Sequence, residues 1–434
     1  MRTYGNEWTV DVLIADVIGE VALVLIASSL LGALAVRLRQ PRVIGQILAG
    51  ILLGPTLLGQ FPGHLTSHLF PKATLPSMTV LANVAVVIFM FVVGYELDLR
   101  PLRRSRKAAP MVAGGALLVP MALGVAAVYV FRPGFVSLGE PSHLSRSFVL
   151  FMGVAVSITA LPVLASIVRE RGIAGTQAGV TATAAAGAMD VLAWLVLAIA
   201  LVGTVKTSRP LWLTTVLLAA FVAGVLAIVR PLLRRWMRSN RSLLASQLPI
   251  AIVLALGCAW VTGTLGLHPV FGGFLAGLAM PSLNGGPDAD VLRPMEQVSN
   301  LLLPLFFVVT GLSLDVGSLG GEAFLLLLVV CVVASVGKLG PAYAGSRLAG
   351  LTPRESAGVA ALVNTRGLTE LIALNVGLTD GLIDRKLFSI LVIMALIMTA
   401  ATGPLLSAIR LPVPAGEPRE QAPAGSAPAT AAEE

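Results

Sequence analysis

Long apolar stretches recur along almost the whole chain, and they constrain its fold more than any other feature. A helix that crosses a bilayer needs about 20 mostly apolar residues, and such stretches alternate here with short loops rich in Arg, Pro or Gly. Charged residues make up 12% of the chain, against roughly 25% in soluble globular proteins. The sequence therefore predicts an all-α membrane protein and leaves no stretch for a soluble domain of ordinary size.

The apolar stretches predict about thirteen membrane-spanning helices. Their approximate bounds are 15–36, 41–58, 75–94, 109–131, 147–168, 176–204, 211–229, 246–264, 267–281, 298–314, 323–346, 355–376 and 387–409. Together these helices form a single integral membrane domain over residues 1–410. The Pro-, Ala- and Glu-rich composition of residues 411–434 predicts a disordered tail.

Lys and Arg are distributed unevenly between the two sides of the predicted membrane. Twenty lie in loops on one side and eight on the other, while Lys338 and Arg366 fall inside spans. Positive residues are retained in the cytoplasm, so we expect the N-terminus outside and the C-terminus in the cytoplasm of a protein of the inner (plasma) membrane. No basic face interleaved with aromatic residues predicts a nucleic-acid partner.

Two short motifs recur in the second half of the chain in the same order, which predicts an internal repeat. The motif VIGQILAG at 43–50 matches VFGGFLAG at 270–277, and GYELD at 94–98 matches GLSLD at 311–315. Each match joins helices seven spans apart, and because seven is odd the paired helices cross the membrane in opposite senses. Inverted repeats of this kind are typical of secondary transporters. The predicted first repeat, linker helix and second repeat lie at about 15–204, 211–229 and 246–409.

Four ionisable side chains lie well inside predicted spans. A charge at the bilayer centre costs about 2.5 to 3.5 kcal/mol on insertion scales, so each is a candidate functional residue. Asp190 lies in the sixth span with no basic residue within ten positions, Lys338 is in the middle of the eleventh, and Arg366 and Glu370 stand four apart in the twelfth. A desolvated carboxylate can hold either a proton or a monovalent cation, which makes Asp190 the candidate binding site and Lys338 its charge partner.

Each of these residues also has a structural alternative. Asp190 could be a neutral or paired acid that only ties two helices together. Arg366 and Glu370 could form a structural ion pair on one helix face that neutralises half-helix ends. Lys338 could reach the membrane surface if its span were misplaced.

The fifth and twelfth spans, which correspond in the repeat, each contain a segment that is poor helix. In the fifth, Pro162 removes a backbone hydrogen bond beside two hydroxyl residues, and in the twelfth the segment 364–367 reads Asn-Thr-Arg-Gly. Two interrupted helices at corresponding positions predict a midplane site lined by carbonyls and half-helix ends. The predicted cation and proton ligands are Asp190, Thr159 and Ser157, supported by Pro162, Asn364, Thr365, Arg366 and Glu370.

Four motifs, at 40–55, 157–165, 189–190 and 364–375, carry a resemblance that covers roughly residues 15 to 410. With them the chain resembles the Kef-type and plant cation/proton-exchanger branch of the monovalent cation:proton antiporter family 2. The resemblance implies the sodium/proton antiporter fold with two crossed discontinuous helices, a homodimer formed by a scaffold domain, and an elevator-like movement of a core domain. Relatives often have Asp or Asn where this chain has Met189, so the resemblance also suggests one proton per cation.

These observations predict exchange of Na⁺ or K⁺ for protons by alternating access, with Asp190 binding cation and proton competitively. Two alternatives stay open: proton-coupled efflux of a small organic compound or ionophore on the same scaffold, and a channel or non-transporting receptor. The sequence contains no P-loop and no metal-ligand spacing, so we expect no enzyme and no cofactor. The predicted partners are the cation, the proton, the lipid bilayer and a second copy of the chain.

Overall fold

The computed structural model of the protein describes its helical body. The described residues are 10–38, 40–54, 56–58, 66, 69–96, 107–137, 145–201, 210–239, 247–281, 286–314, 316–317 and 319–411. The predicted disordered tail lies almost wholly outside them, as do the two aspartates that end the repeated motifs. Seventeen α-helices occur in these residues, and a π-helical turn (Val225–Val229) joins α9 to α10.

In chain order the helices are α1 (Val10–Arg37), α2 (Arg42–Leu53), α3 (Leu75–Glu96), α4 (Ala108–Val130), α5 (Arg132–Ser137), α6 (Arg146–Ser157), α7 (Leu161–Glu170), α8 (Gln177–Leu201), α9 (Leu211–Gly224), α10 (Arg230–Ser239), α11 (Gln247–Thr264), α12 (Pro269–Ala279), α13 (Ala289–Leu312), α14 (Gly321–Leu348), α15 (Pro353–Val363), α16 (Leu368–Thr379) and α17 (Arg385–Ile409).

The predicted multi-pass, all-α architecture is confirmed. Eleven helical stretches among the described residues are long and apolar enough to cross a membrane, and α2 and α12 are shorter apolar helices of 12 and 11 residues. These thirteen units match the thirteen predicted spans in number and order. The fifth unit consists of α6 and α7, the seventh of α9 and α10, and the twelfth of α15 and α16.

Two helical units extend about nine or ten residues beyond the predicted bounds. α13 begins at Ala289 and not at residue 298, so its polar first turns are helical. Asp288 caps these turns by accepting a hydrogen bond from the N–H of Asp290 at 3.0 Å. The seventh unit continues past residue 229 to Ser239. In both cases the extension is polar or charged. Because the spans are predicted from apolar length, such a segment is assigned to a loop although its backbone remains helical.

The helices form two groups, which we call the panel and the core. Backbones pack closely within the panel, which consists of α1, α2, α3, α11, α12 and α13, and within the core, which consists of α4, α6, α7, α8, α14, α15, α16 and α17. The two groups meet through side chains such as Ile47 and Phe307. Among the described helices, a panel helix and a core helix never pack as closely as neighbouring helices of the same group. The π turn between α9 and α10 contacts α12.

Glycines make equivalent helix crossings in the two repeats. Gly50 of α2 faces Gly311 of α13, and a Cβ added to Gly50 would lie 2.9 Å from the Gly311 Cα atom. Gly277 of α12 faces Gly94 of α3, and a Cβ added to Gly277 would lie 3.0 Å from the Gly94 carbonyl carbon. Gly277 corresponds to Gly50 in the repeated motifs, and Gly311 corresponds to Gly94. The two crossings are therefore the same contact made once by each repeat.

A second pair of contacts obeys the same internal symmetry. Gly45 of α2 packs against the backbone of α1 at Leu31, and Gly272 of α12 packs against the backbone of α11 at Cys258. Both residues of the second contact lie 227 positions after those of the first. The inverted repeat predicted from two short motifs is thus visible in the packing of the panel.

Gly277→Ala is expected to lower the midpoint of thermal unfolding, because the added methyl group would overlap the α3 backbone at Phe91 and lie 2.7 Å from the amide nitrogen of Tyr95. Overpacking of this kind costs about 1 to 3 kcal/mol. Gly257→Ala in α11 is the matched control, since no heavy atom lies within 4 Å of its added Cβ. Scanning fluorimetry of both variants in one detergent measures the difference, and equal midpoints would contradict the close crossing.

Candidate functional site

The fifth span is broken into two half-helices. α6 ends at Ser157, α7 begins at Leu161, and the residues between them are non-helical. Pro162 does not interrupt a helix, because it lies in the first turn of α7, where the N–H groups have no intrahelical partner in any case. The predicted interruption is confirmed, but it falls before the proline and not at it.

The twelfth span is broken at residues 364–367, and the two breaks cross. The N–H of Ala160 donates to the carbonyl of Thr365 at 3.1 Å, and the Thr159 hydroxyl donates to the carbonyl of Val363 at 3.0 Å. Gly367 permits the close approach, since a Cβ added there would lie 2.6 Å from Val163 Cγ2. The predicted pair of crossed discontinuous helices is confirmed.

Arg366 caps the broken end of α6. Its guanidinium donates to the carbonyl of Ala155 at 3.1 Å and to the carbonyl of Val156, and it also contacts Glu370 Oε1 at 3.2 Å. The ion pair is fully buried. Carbonyls at the end of a helix carry partial negative charge, and within the hydrocarbon layer they need donors from the protein. Arg366 thus serves both the backbone of one half-helix and the acid on another.

Lys338 caps the next two carbonyls of the same break. Its ammonium group is fully buried and donates to the carbonyls of Ser157 and Ile158 at 2.5 and 2.6 Å. It lies within electrostatic reach of Asp190 but makes no hydrogen bond with it. The Ser157 hydroxyl donates to the carbonyl of Val154 at 3.0 Å, within its own helix. The roles of Lys338 as charge partner and of Ser157 as ligand remain predictions.

Asp190 differs from Arg366, Glu370 and Lys338 in its hydrogen bonding. Its side chain is 1% exposed, and neither carboxyl oxygen has a hydrogen-bond partner among the described residues. The N–H of Leu161, at the positive end of α7, lies near the carboxyl without meeting the geometry of a hydrogen bond. Met189, beside Asp190, places its thioether sulfur 4.0 Å from the Thr159 hydroxyl. An uncommitted carboxyl group thus lies beside a broken helix.

The supporting residues of the second break contact α17, which sequence reasoning missed. Thr399 donates to the carbonyl of Arg366 at 2.7 Å, and the Thr402 hydroxyl lies 3.5 Å from that of Thr365. The Asn364 amide lies 3.8 Å from a methionine sulfur of the same helix. The only signal in the sequence is two hydroxyl residues three positions apart in an otherwise apolar stretch.

A crevice between panel and core reaches the second break. It is narrow and partly open to the surroundings. Arg366, Gly367 and Thr399 form the part of its wall that belongs to the break, and Asp190 is not on the wall. The other lining residues are Val43, Ile44, Ile47, Val163, Leu371, Ala395 and Leu396.

Comparison with known families matches this architecture to a single description. The family model for the transmembrane region of sodium/hydrogen exchangers matches residues 23–409. The chain belongs to this family. The match begins inside α1 and covers the rest of both repeats and the linker, so the core and the crossed breaks lie within it.

One relative matches the chain in length, and others are about twice as long. The chain is 34% identical to the Na⁺/H⁺ antiporter NhaS4 of Synechocystis over 92% of its own residues and 98% of that protein. It is 35% identical to the cation/H⁺ antiporter 19 of Arabidopsis thaliana and 31% identical to the K⁺/H⁺ antiporter 1 of Saccharomyces cerevisiae. These two matches cover 96% and 89% of the chain but only 52% and 45% of the relatives, so the chain spans about half their length.

The fold is also that of a solved exchanger. The sodium proton antiporter NhaP1 of Methanocaldococcus jannaschii superimposes with a TM-score of 0.60 over 91% of the chain and 97% of that protein. The sequences are only 16% identical, so this likeness concerns the fold alone. It agrees with the crossed discontinuous helices described above.

Arg366→Gln is expected to destabilise the protein more than Glu370→Gln. The arginine variant leaves Glu370 as an unpaired buried acid and also deprives the carbonyls of Ala155 and Val156 of their donor. Breaking a buried pair costs about 3 to 5 kcal/mol, and each unsatisfied carbonyl adds about 1 to 3 kcal/mol. Unfolding midpoints in detergent compare the two variants. A larger loss in Glu370→Gln would show that the ion pair, and not the capping, dominates.

Proposed function

We propose that the protein is a secondary antiporter that exchanges Na⁺ or K⁺ for protons by alternating access. The observation that carries the proposal is the buried carboxyl group of Asp190, whose two oxygens have no hydrogen-bond partner among the described residues. A group in that state gains strongly from any bound cation, whether a proton or a metal ion. The family match and the crossed breaks support the same conclusion.

Competition at Asp190 follows from the charges around it. Four ionisable side chains are buried at the crossing: Asp190, Glu370, Lys338 and Arg366. In their ionised forms their formal charges sum to zero, and one proton or one monovalent cation on Asp190 adds the same single charge. Each occupant therefore replaces the other without changing the charge of the site. The Thr159 oxygen supplies a further oxygen ligand of the hard type that Na⁺ and K⁺ prefer.

Alternating access is supported by the way the two helix groups meet. The panel is held together by glycine crossings in which backbones touch, whereas panel and core meet through side chains. Close crossings interlock two helices, but a side-chain interface allows one group to slide along the other. We propose that the core, which carries Asp190 and both breaks, moves relative to the panel.

The names of the relatives support a monovalent cation and a proton but differ in the metal. The Synechocystis relative is named for Na⁺, the yeast relative for K⁺, and the Arabidopsis relatives for a cation in general. Proton flux in proteoliposomes with an imposed pH gradient identifies the ion, when Na⁺, K⁺, Li⁺ and choline are added in turn. We expect Na⁺ or K⁺, but not choline, to dissipate the gradient.

Asp190→Asn is expected to abolish this exchange while the protein stays folded, because the amide can hold neither a proton nor a cation in place of the carboxylate. Glu322→Gln is the matched control, since Glu322 is an exposed acid in the first turn of α14. Loss of flux in both variants would argue against a specific role of Asp190. If no inorganic cation affects folded wild type, the antiporter proposal fails, and organic substrates become the next candidates.

We also propose an external N-terminus, a cytoplasmic C-terminus, insertion in the plasma membrane and a homodimer. The uneven distribution of Lys and Arg supports the orientation, and the family resemblance supports the dimer. An impermeant maleimide should label a Ser426→Cys variant only in inverted membrane vesicles. Labelling in right-side-out vesicles contradicts the orientation, and a monomeric mass in nanodiscs contradicts the dimer.

A further inference from the structure

The linker between the two repeats is the least buried of the apolar helical stretches described. In the segment Trp212–Met237, only 11% of the most apolar 18 residues are buried. α9, the π turn and α10 follow one another without a gap and contain 14, 5 and 10 residues. At 1.5 Å per residue they extend about 43 Å, whereas the hydrocarbon core is about 30 Å thick. One end of this helix must therefore reach the headgroup layer.

The end formed by α10 has a basic surface next to an apolar one. Arg230, Arg234 and Arg235 are exposed, and at 3.6 residues per turn they occupy an arc of about 140° on the helix. Leu232 and Trp236 lie beside this arc and are 61% and 42% exposed. Exposed tryptophan and leucine next to arginine are typical of a helix at the boundary between acyl chains and headgroups.

Packing of α10 against the panel determines which way its basic and apolar surfaces face. Met237 is fully buried, and Leu233 packs with it against the hydrophobic cluster that contains Val225 and residues of α11 and α12. The helix is thus held against the panel along one side. Its arginines cannot turn inward without breaking this packing, so they remain directed away from the protein interior.

The arginines have no counter-charge nearby in the sequence. No Asp or Glu occurs between Asp190 and Asp288. Within the described ranges, no acid forms an ion pair with Arg230, Arg234 or Arg235. A partner that neutralises them must therefore come from outside this part of the chain and must meet them at headgroup depth.

We infer that α10 binds the phosphate groups of anionic phospholipids and anchors the linker in the headgroup layer. Guanidinium groups form paired hydrogen bonds with phosphate oxygens, and Leu232 and Trp236 contact the adjoining acyl chains. A zwitterionic lipid would leave the positive charge of the arc uncompensated. A soluble acidic protein would leave the exposed apolar side chains without a partner. An anionic lipid satisfies both surfaces at once.

Fluorescence of Trp236 tests this inference in bilayers that contain brominated phosphatidylglycerol or brominated phosphatidylcholine. Subtracting the signal of a Trp236→Phe variant isolates the quenching at this position. We expect the local affinity for phosphatidylglycerol to exceed that for phosphatidylcholine by about tenfold or more, since each arginine near an anionic surface contributes about fivefold. Changing Arg230, Arg234 and Arg235 together to Gln should bring the ratio close to one.

Two matched variants distinguish lipid binding at this site from a general effect of positive charge. Lys at the same three positions keeps the charge and should retain most of the preference. Gln at Arg100, Arg103 and Arg104, in another predicted cytoplasmic loop, removes the same charge and should leave the preference at Trp236 unchanged. Equal quenching by both lipids in wild type overturns the inference. So does a preference that survives in the Arg230, Arg234, Arg235→Gln protein, or displacement of the lipid by free glycerol phosphate, which would indicate a soluble ligand.

Discussion

The interior of this protein depends on capping four successive backbone carbonyls at the end of α6. A helix that stops inside the hydrocarbon layer exposes carbonyls that water cannot reach, and each unsatisfied group costs several kcal/mol. Arg366 donates to the first two carbonyls and Lys338 to the next two. The two cations come from α14 and from the break in the twelfth span, so the discontinuity in one helix requires the presence of two others.

The panel and the core are stabilised by different interactions. The panel contains the glycine crossings in which Gly50 meets Gly311 and Gly94 meets Gly277, and these crossings are pure backbone packing. The core contains both breaks and all four buried charges at their crossing. Because backbone capping is completed within the core, the movement along the panel that we propose would leave the polar interior of the core satisfied.

Sequence reasoning reached the spans, the repeat and the two breaks because these leave local signals. Apolar length shows the spans, and the segment 364–367 shows one break through residues that favour turns. It also anticipated the pair of Arg366 and Glu370. It was wrong to place both on one helix face, because Arg366 lies in the break before α16. It could not anticipate what the cations bind: the carbonyls capped by Lys338 lie about 180 positions away. Such contacts exist only after the helices cross, as do those of Thr399.

The same capping supports Asp190, and not Glu370, as the proposed site of exchange. Glu370 shares the guanidinium that caps α6, so drawing Arg366 toward or away from it would disturb two backbone carbonyls. Lys338 is equally committed to the break. The Asp190 carboxyl has no such bond, and a change from proton to cation there strains no cap. The two committed cations thus leave one acid whose charge can be neutralised in two ways, as the proposed competitive antiport requires.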